Sequence, residues 1–387
     1  MNILRNQDPY TIIKLFDAGI QFIFNIAILR VFSSDLIAET ILIVNGTGLI
    51  YQLVDYSQGN LILSKEIKAD YKDFIFQKRR ILLLVLISCL ILSFNWIGMS
   101  DFLFLFLTYT AINTTHRTFV YYFTSASYDY RVFYYSTYII LSIINMAILL
   151  IGLFYELASV LILFLILNSV LLMLPFILTK FKAFSKKKIF DFQDKIIRKS
   201  SIVWVNQVTY SLKAFVIAYY VNKLMSEFGK EFKLILIGGT IISTLAYSFL
   251  HQYYIRFTES FYYKKSFFNL LKIITPAIIA IYIIATFTQT DLNIVLITAI
   301  IIHCLNTGIY LILITQYTLS FSNSGIKKIS LLNILGILWV TAYSTIVNIK
   351  YYPLESFLII FAILEILITS IWIKNLFYSF LEQDQKL

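Results

Sequence analysis

Long apolar runs alternate with short charged or turn-rich stretches along the whole chain. A helix needs about twenty apolar residues to cross the bilayer core. Cutting the chain at its charged points predicts twelve such helices, over 10–30, 36–58, 81–98, 102–123, 132–153, 157–179, 203–223, 234–252, 269–287, 292–317, 331–350 and 354–376. Transmembrane strands would instead alternate polar and apolar positions over about ten residues. The expected fold is therefore an all-α integral membrane protein. The longest interruption, TKFKAFSKKKIFDFQDKIIRKSS from Thr179 to Ser201, divides it into 1–179, a basic cytoplasmic linker at 180–202, and 203–387, six spans on either side. Within that linker FDFQDKIIRK reads equally as an amphipathic helix on the membrane surface or as a solvated connection.

Composition agrees with this pattern. Hydrophobic residues are 59% of the 387, charged residues 14%, and the mean hydropathy is +0.80, more apolar surface than one soluble core can bury. The formal charge of +11 raises nucleic acid as a partner. The basic residues, however, sit in short loops between apolar spans, the usual mark of cytoplasmic membrane loops, and no basic-aromatic module remains once the spans are removed. Nucleic-acid binding is not expected. Cys89 and Cys304 both fall inside apolar runs and read as small core residues. The first span has no cleavage signal after a short apolar core and reads as retained.

Basic loops also orient the chain. With the N-terminus inside, the inner loops hold Lys65 to Arg80, Arg131, Lys180 to Lys199, Arg256, Lys264, Lys265, Lys327 and Lys328, whereas the outer loops hold Arg30, Lys223, Lys230, Lys233 and Lys350. This bias predicts that both termini are cytoplasmic.

Several spans carry polar stripes. In KLFDAGIQFIFNIAILR, from Lys14 to Arg30, the residues Lys14, Asp17, Gln21 and Asn25 share one helical face. Lys14 lies close enough to the inner edge to snorkel, with Asp17 placed to neutralise it. The seventh span answers with Asn206, Tyr210, Lys213 and Tyr220. Spans one and seven lead the two halves, so matched stripes suggest an internal repeat lining a shared cavity. In the fourth span Asn113, Arg117, Tyr121 and Thr124 share a face, with His116 beside them. A charge at mid-membrane costs about 2.5 to 3.5 kcal/mol on insertion scales, so Lys213 and Arg117 need a reason for their depth. Either they hold an anionic substrate, which Arg117 can grip with two parallel hydrogen bonds, or they pair with a buried acid such as Asp55. Asn45 and Gln52 with Asp55 on the second span, and Tyr247 with His251 on the eighth, also read as inward-facing. His303, with Asn306 and Tyr310, is a candidate proton relay or substrate contact, set against the commoner role of a satisfied core histidine. Asp55, His251 and His303 are the candidates for ion or proton coupling.

No phosphate loop, dinucleotide fingerprint, HExxH or metal-ligand set is present. No cofactor and no enzymatic activity are expected, and an ATP-driven pump is disfavoured.

Two stretches resemble bacterial polysaccharide flippases of the multidrug/oligosaccharidyl-lipid/polysaccharide exporter superfamily. ILRVFSSDLIAETILIVNGTGLIYQLVDYSQGNLILSKEI, from Ile28 to Ile67, is similar to their first two spans, with a basic residue ending the first, a short outer turn, and an acidic residue and basic inner loop after the second. YYFTSASYDYRVFYYSTYIILSIINM, from Tyr121 to Met146, is similar to their junction between spans four and five. Where that family carries glycines near the outer turn and after the acidic residue, Ser33, Ser34, Glu39 and Tyr56 stand here. The resemblance implies two six-helix lobes around a central cavity in the bacterial inner membrane. It also implies translocation of an undecaprenyl-diphosphate-linked oligosaccharide, for which alternating access is the expected mechanism. The energy is expected from an ion gradient, with H⁺ and Na⁺ the candidate coupling ions, or from the substrate gradient itself, and polysaccharide assembly proteins are candidate partners. A drug or cation exporter of the same superfamily and a membrane-embedded polysaccharide polymerase are the alternatives. The first would place carboxylates in its cavity, and the second would carry a large outer loop with arginines.

Overall fold

The structure, a computed structural model, describes residues 9–55, 101–125, 128–178, 187–255, 263–288, 290, 292–320, 323–346, 359–360, 362–368, 370–371 and 374. The described residues are almost entirely helical. The helices are α1 (Pro9–Val31), α2 (Ser34–Asp55), α3 (Asp101–Ser125), α4 (Tyr128–Tyr155), α5 (Ala158–Leu178), α6 (Lys187–Leu224), α7 (Gly229–Ile255), α8 (Tyr263–Thr288), α9 (Ile294–Ser320) and α10 (Asn323–Ile346). A further helical stretch covers 362–368. The predicted span 81–98 lies outside the described residues, and 354–376 is described only in part.

Local chemistry accounts for several boundaries. Asn293 caps α9, its Oδ1 accepting the amide hydrogen of Leu296 at 2.7 Å. Between α4 and α5 the chain turns through Glu156, which holds a left-handed φ of 54°, while the Leu157 amide donates back to the Gly152 carbonyl at 3.2 Å. The basic segment before the seventh predicted span does not end where that span begins. It continues into the span as one helix of 38 residues, about 57 Å long at 1.5 Å per residue. A separate surface-lying helix would need a break that α6 lacks.

Among the described residues, three helical stretches are long and apolar enough to cross a membrane by length and composition: Ser34–Leu53, Leu270–Thr288 and Ile294–Ile312. Shorter apolar stretches occupy Gly19–Val31, Asp101–Asn113, Ile139–Tyr155, Ala158–Met173 and Ser330–Ala342. Two of these helices expose apolar side chains while burying polar ones. On α4, Ile140, Ile143, Ile144, Ile151 and Phe154 are exposed while Ser142 and Asn145 are buried. On α10, Leu331, Leu335, Leu338 and Trp339 are exposed while Ser330 and Asn333 are buried. Water would penalise that much apolar surface, whereas lipid matches it. The coarse expectation of an all-α protein with membrane-type helices is met.

The chain forms two compact units, Met1–Ile41 with Val216–Leu387, and Leu42–Phe215. In the first, α1 packs on α7 and α8, which also pack on each other and on α9, and α9 meets α10. Packing thus groups α1 with helices on the far side of the 180–202 linker. Small residues permit the closest of these approaches. Gly238 of α7 faces Cys304 of α9 and Ile281 of α8, Gly308 of α9 faces Leu270 of α8, and Gly229 at the start of α7 meets the backbone of Ser34 and Ala38. Ala27, Ile28, Leu29, Leu234, Ile281, Ile284, Ala299 and Ile309 fill this core. In the second unit α5 packs on α3 and α4, around Ile112, Leu149, Leu161, Phe164 and Leu165. The rings of Tyr109 and Phe164 lie 5.9 Å apart there.

Candidate functional site

Lys213 is the least exposed of the described lysines and arginines. It lies on α6 with 5% of its surface exposed, beside fully buried Asn206 and half-buried Tyr210, and its Nζ stands 5.6 Å from the centre of the Tyr210 ring, within cation–π range. The opposite face of α6 meets α2. There the Trp204 Nε1 donates to the Gln52 carbonyl at 2.8 Å, and Phe215 lies so close to Gly46 that a Cβ added there would be 3.4 Å from the ring. At about 100° per residue, Trp204 and Phe215 fall on one side of α6 and Asn206, Tyr210 and Lys213 roughly on the other. The expected stripe is real as a face, and the Trp204 anchor leaves it turned away from α2. An ammonium group, an amide and a phenol so arranged have the chemistry to hold a phosphate and hydroxyl groups.

The other expected stripes are described in part. Gln21 and Asn25 are half-buried on α1, where the Asn25 Nδ2 donates to the Gln21 carbonyl at 2.7 Å, turning that donor onto its own helix. On α3, Asn113 is half-buried and His116 buried. The side chains of Lys14, Asp17, Asp55, Arg117 and His251 lie outside the described residues. Gln21 and Asn25 belong to the first compact unit, and Asn113, His116, Asn206, Tyr210 and Lys213 to the second.

His303 has a partner that sequence reasoning missed. Its Nδ1 lies 3.8 Å from Oε2 of Glu365, with 16% of the histidine side chain exposed and 2% of the glutamate. That separation is longer than a hydrogen bond and within reach of an ion pair when the ring is protonated. On its other side the ring meets α7 at Gly239, where an added Cβ would stand 2.7 Å from the imidazole Nε2. Asn306 and Tyr310, on the same face of α9, are buried as well. A signal for Glu365 was present in the sequence. It is the lone charge in FLIIFAILEILITSIWI, from Phe357 to Ile373, and such a charge in an apolar run calls for a partner.

Among the described residues, no cluster of three or more His, Cys, Asp or Glu side chains is placed to hold a metal. No family model, curated protein or solved structure matches the chain.

Proposed function

We propose that the protein is a flippase that moves an undecaprenyl-diphosphate-linked oligosaccharide across the bacterial inner membrane for cell-surface polysaccharide synthesis. Twelve spans in two helical lobes, cytoplasmic termini and alternating access are parts of the same proposal. The packing of α1 with α7 and α8 means that membership of the lobes need not follow the chain halves. The observation that carries the reading is Lys213, a cation buried on α6 and flanked on its face by Asn206 and Tyr210. A diphosphate cannot pass through hydrocarbon uncompensated, so a route for it requires cationic groups at depth. Amide and phenol groups beside the cation suit a hydroxyl-rich sugar. Arg117, two-pronged where Lys213 is a point charge, is the second group expected on that route.

The test is complementation of a flippase-deficient strain. Lys213→Ala and Arg117→Ala proteins, verified in the membrane fraction, should lose surface polysaccharide, and Lys213→Arg should retain it in part. Full complementation by both alanine variants would overturn the reading.

One observation favours a second reading. The buried carboxylate of Glu365 beside His303 is the kind of group that a proton-coupled drug or cation exporter of the same superfamily would place in its interior. Resistance to cationic dyes conferred by the expressed protein, abolished by Glu365→Gln and indifferent to Lys213→Ala, would decide for it.

A further inference from the structure

His303 and Glu365 combine three features seldom met together. First, both lie at mid-helix: His303 is central in the apolar Ile294–Ile312 stretch, and Glu365 is flanked by Ala362, Leu364 and Ile368, all buried and apolar. Second, they face each other at 3.8 Å. Third, the imidazole is held from behind by the Gly239 backbone of α7, which leaves no room even for a methyl group.

Charge counting defines what such a pair does. With one proton between them it is net neutral, whether written as imidazolium and carboxylate or as imidazole and carboxylic acid. A second proton leaves a net positive charge, and loss of the first leaves a net negative one. Either change places an uncompensated charge in surroundings that solvate it poorly. Proton exchange is therefore tied to arrangements in which water reaches the pair.

The charged groups described on α7, α8 and α10 stand apart from the pair. On α7 the charged side chains Lys230, Glu231 and Lys233 are at the helix start, about 9 to 14 Å along the axis from Gly239. On α8, Lys272 and Tyr282 are exposed, as is Lys327 on α10. On α9 itself Cys304 points to Gly238, and Tyr310 is two turns along, about 10 Å away.

We propose that His303 and Glu365 form a proton-binding site within the helical core, exchanging its proton only when α9 and the 362–368 helix part enough to admit water. The site stands on this geometry. That its proton drives transport rests on the export reading above.

The chain has three histidines, so full-length protein labelled with ¹⁵N-histidine and placed in nanodiscs gives imidazole resonances that single His→Gln variants assign. In Glu365→Gln the pH response of the His303 resonances should change, because the carboxylate that faces the ring is gone. The midpoints of His116 and His251 should not move. Glu365→Asp, which withdraws the carboxylate by one methylene, should give a smaller shift and covers the case in which the glutamine variant does not fold. An unchanged His303 midpoint in the folded variants overturns the site, as does a His303 resonance that responds to sodium at constant pH instead of to protons. Complementation bears separately on export: a shifted His303 midpoint in a protein that supports no polysaccharide export sustains the site and counts against the export reading.

Discussion

Asn145 of α4 and Asn168 of α5 exchange their side-chain amides, with Nδ2 to Oδ1 distances of 2.6 and 3.0 Å. Asn168 also donates to the Phe164 carbonyl of its own helix at 2.8 Å. Both residues are buried, while Ile143, Ile144 and Ile166 around them are exposed. Between helices whose surfaces are otherwise apolar, this reciprocal pair fixes the register of α4 on α5.

Replacing one partner should therefore harm more than replacing both. Asn168→Leu leaves the Asn145 amide buried without its partner and should cost about 1 to 3 kcal/mol. The Asn145→Leu, Asn168→Leu double variant should recover part of that loss. Thermal unfolding of the detergent-solubilised single and double variants checks the coupling.

Gly239 is expected to tolerate nothing larger. A Cβ at that position would meet the His303 Nε2 at 2.7 Å and the Thr307 Oγ1 at 3.2 Å, so Gly239→Ala must push α7 from α9 or displace the imidazole. A cost of about 1 to 3 kcal/mol is expected. In a Gly239→Ala, His303→Ala double variant the cost should shrink, because the shorter side chain vacates the contact.

Glu156 holds a backbone conformation that favours glycine. Its φ of 54° is left-handed and its side chain is exposed. Glu156→Gly should raise stability by about 1 kcal/mol, and Glu156→Val should lower it. A raised melting temperature for the glycine variant is the measurement.

Continuity of α6 is open to a distance measurement. Spin labels at Ile196 and Leu212, sixteen residues apart in one helix, should be separated by about 24 Å. A markedly shorter distance would mean that the basic segment folds away from the span. Ser201→Pro should break the helix at a cost of about 3 kcal/mol.

Helix content and many boundaries were legible in the sequence. The expected 10–30, 102–123 and 157–179 correspond to Pro9–Val31, Asp101–Ser125 and Ala158–Leu178, because the length of an apolar run and the capping or turn residues at its ends are local properties. The Asn206, Tyr210 and Lys213 stripe was legible for the same reason, since helical periodicity fixes which residues share a face. Two features of the candidate sites were not. Periodicity could not show that Trp204 and Phe215 anchor the reverse face of α6 on α2, nor that His303 would meet Glu365.

By itself, then, the sequence determined that the chain is helical, apolar and punctuated by buried polar groups. Tertiary structure decided which helix meets which: α1 with α7 and α8, α4 with α5, and His303 with Glu365. The physical reason lies in how apolar helices associate. When nearly every face is hydrophobic, burial no longer selects the partner. Selection passes to close fits at Gly229, Gly238 and Gly239 and to a few polar pairs, contacts made between residues distant in the chain.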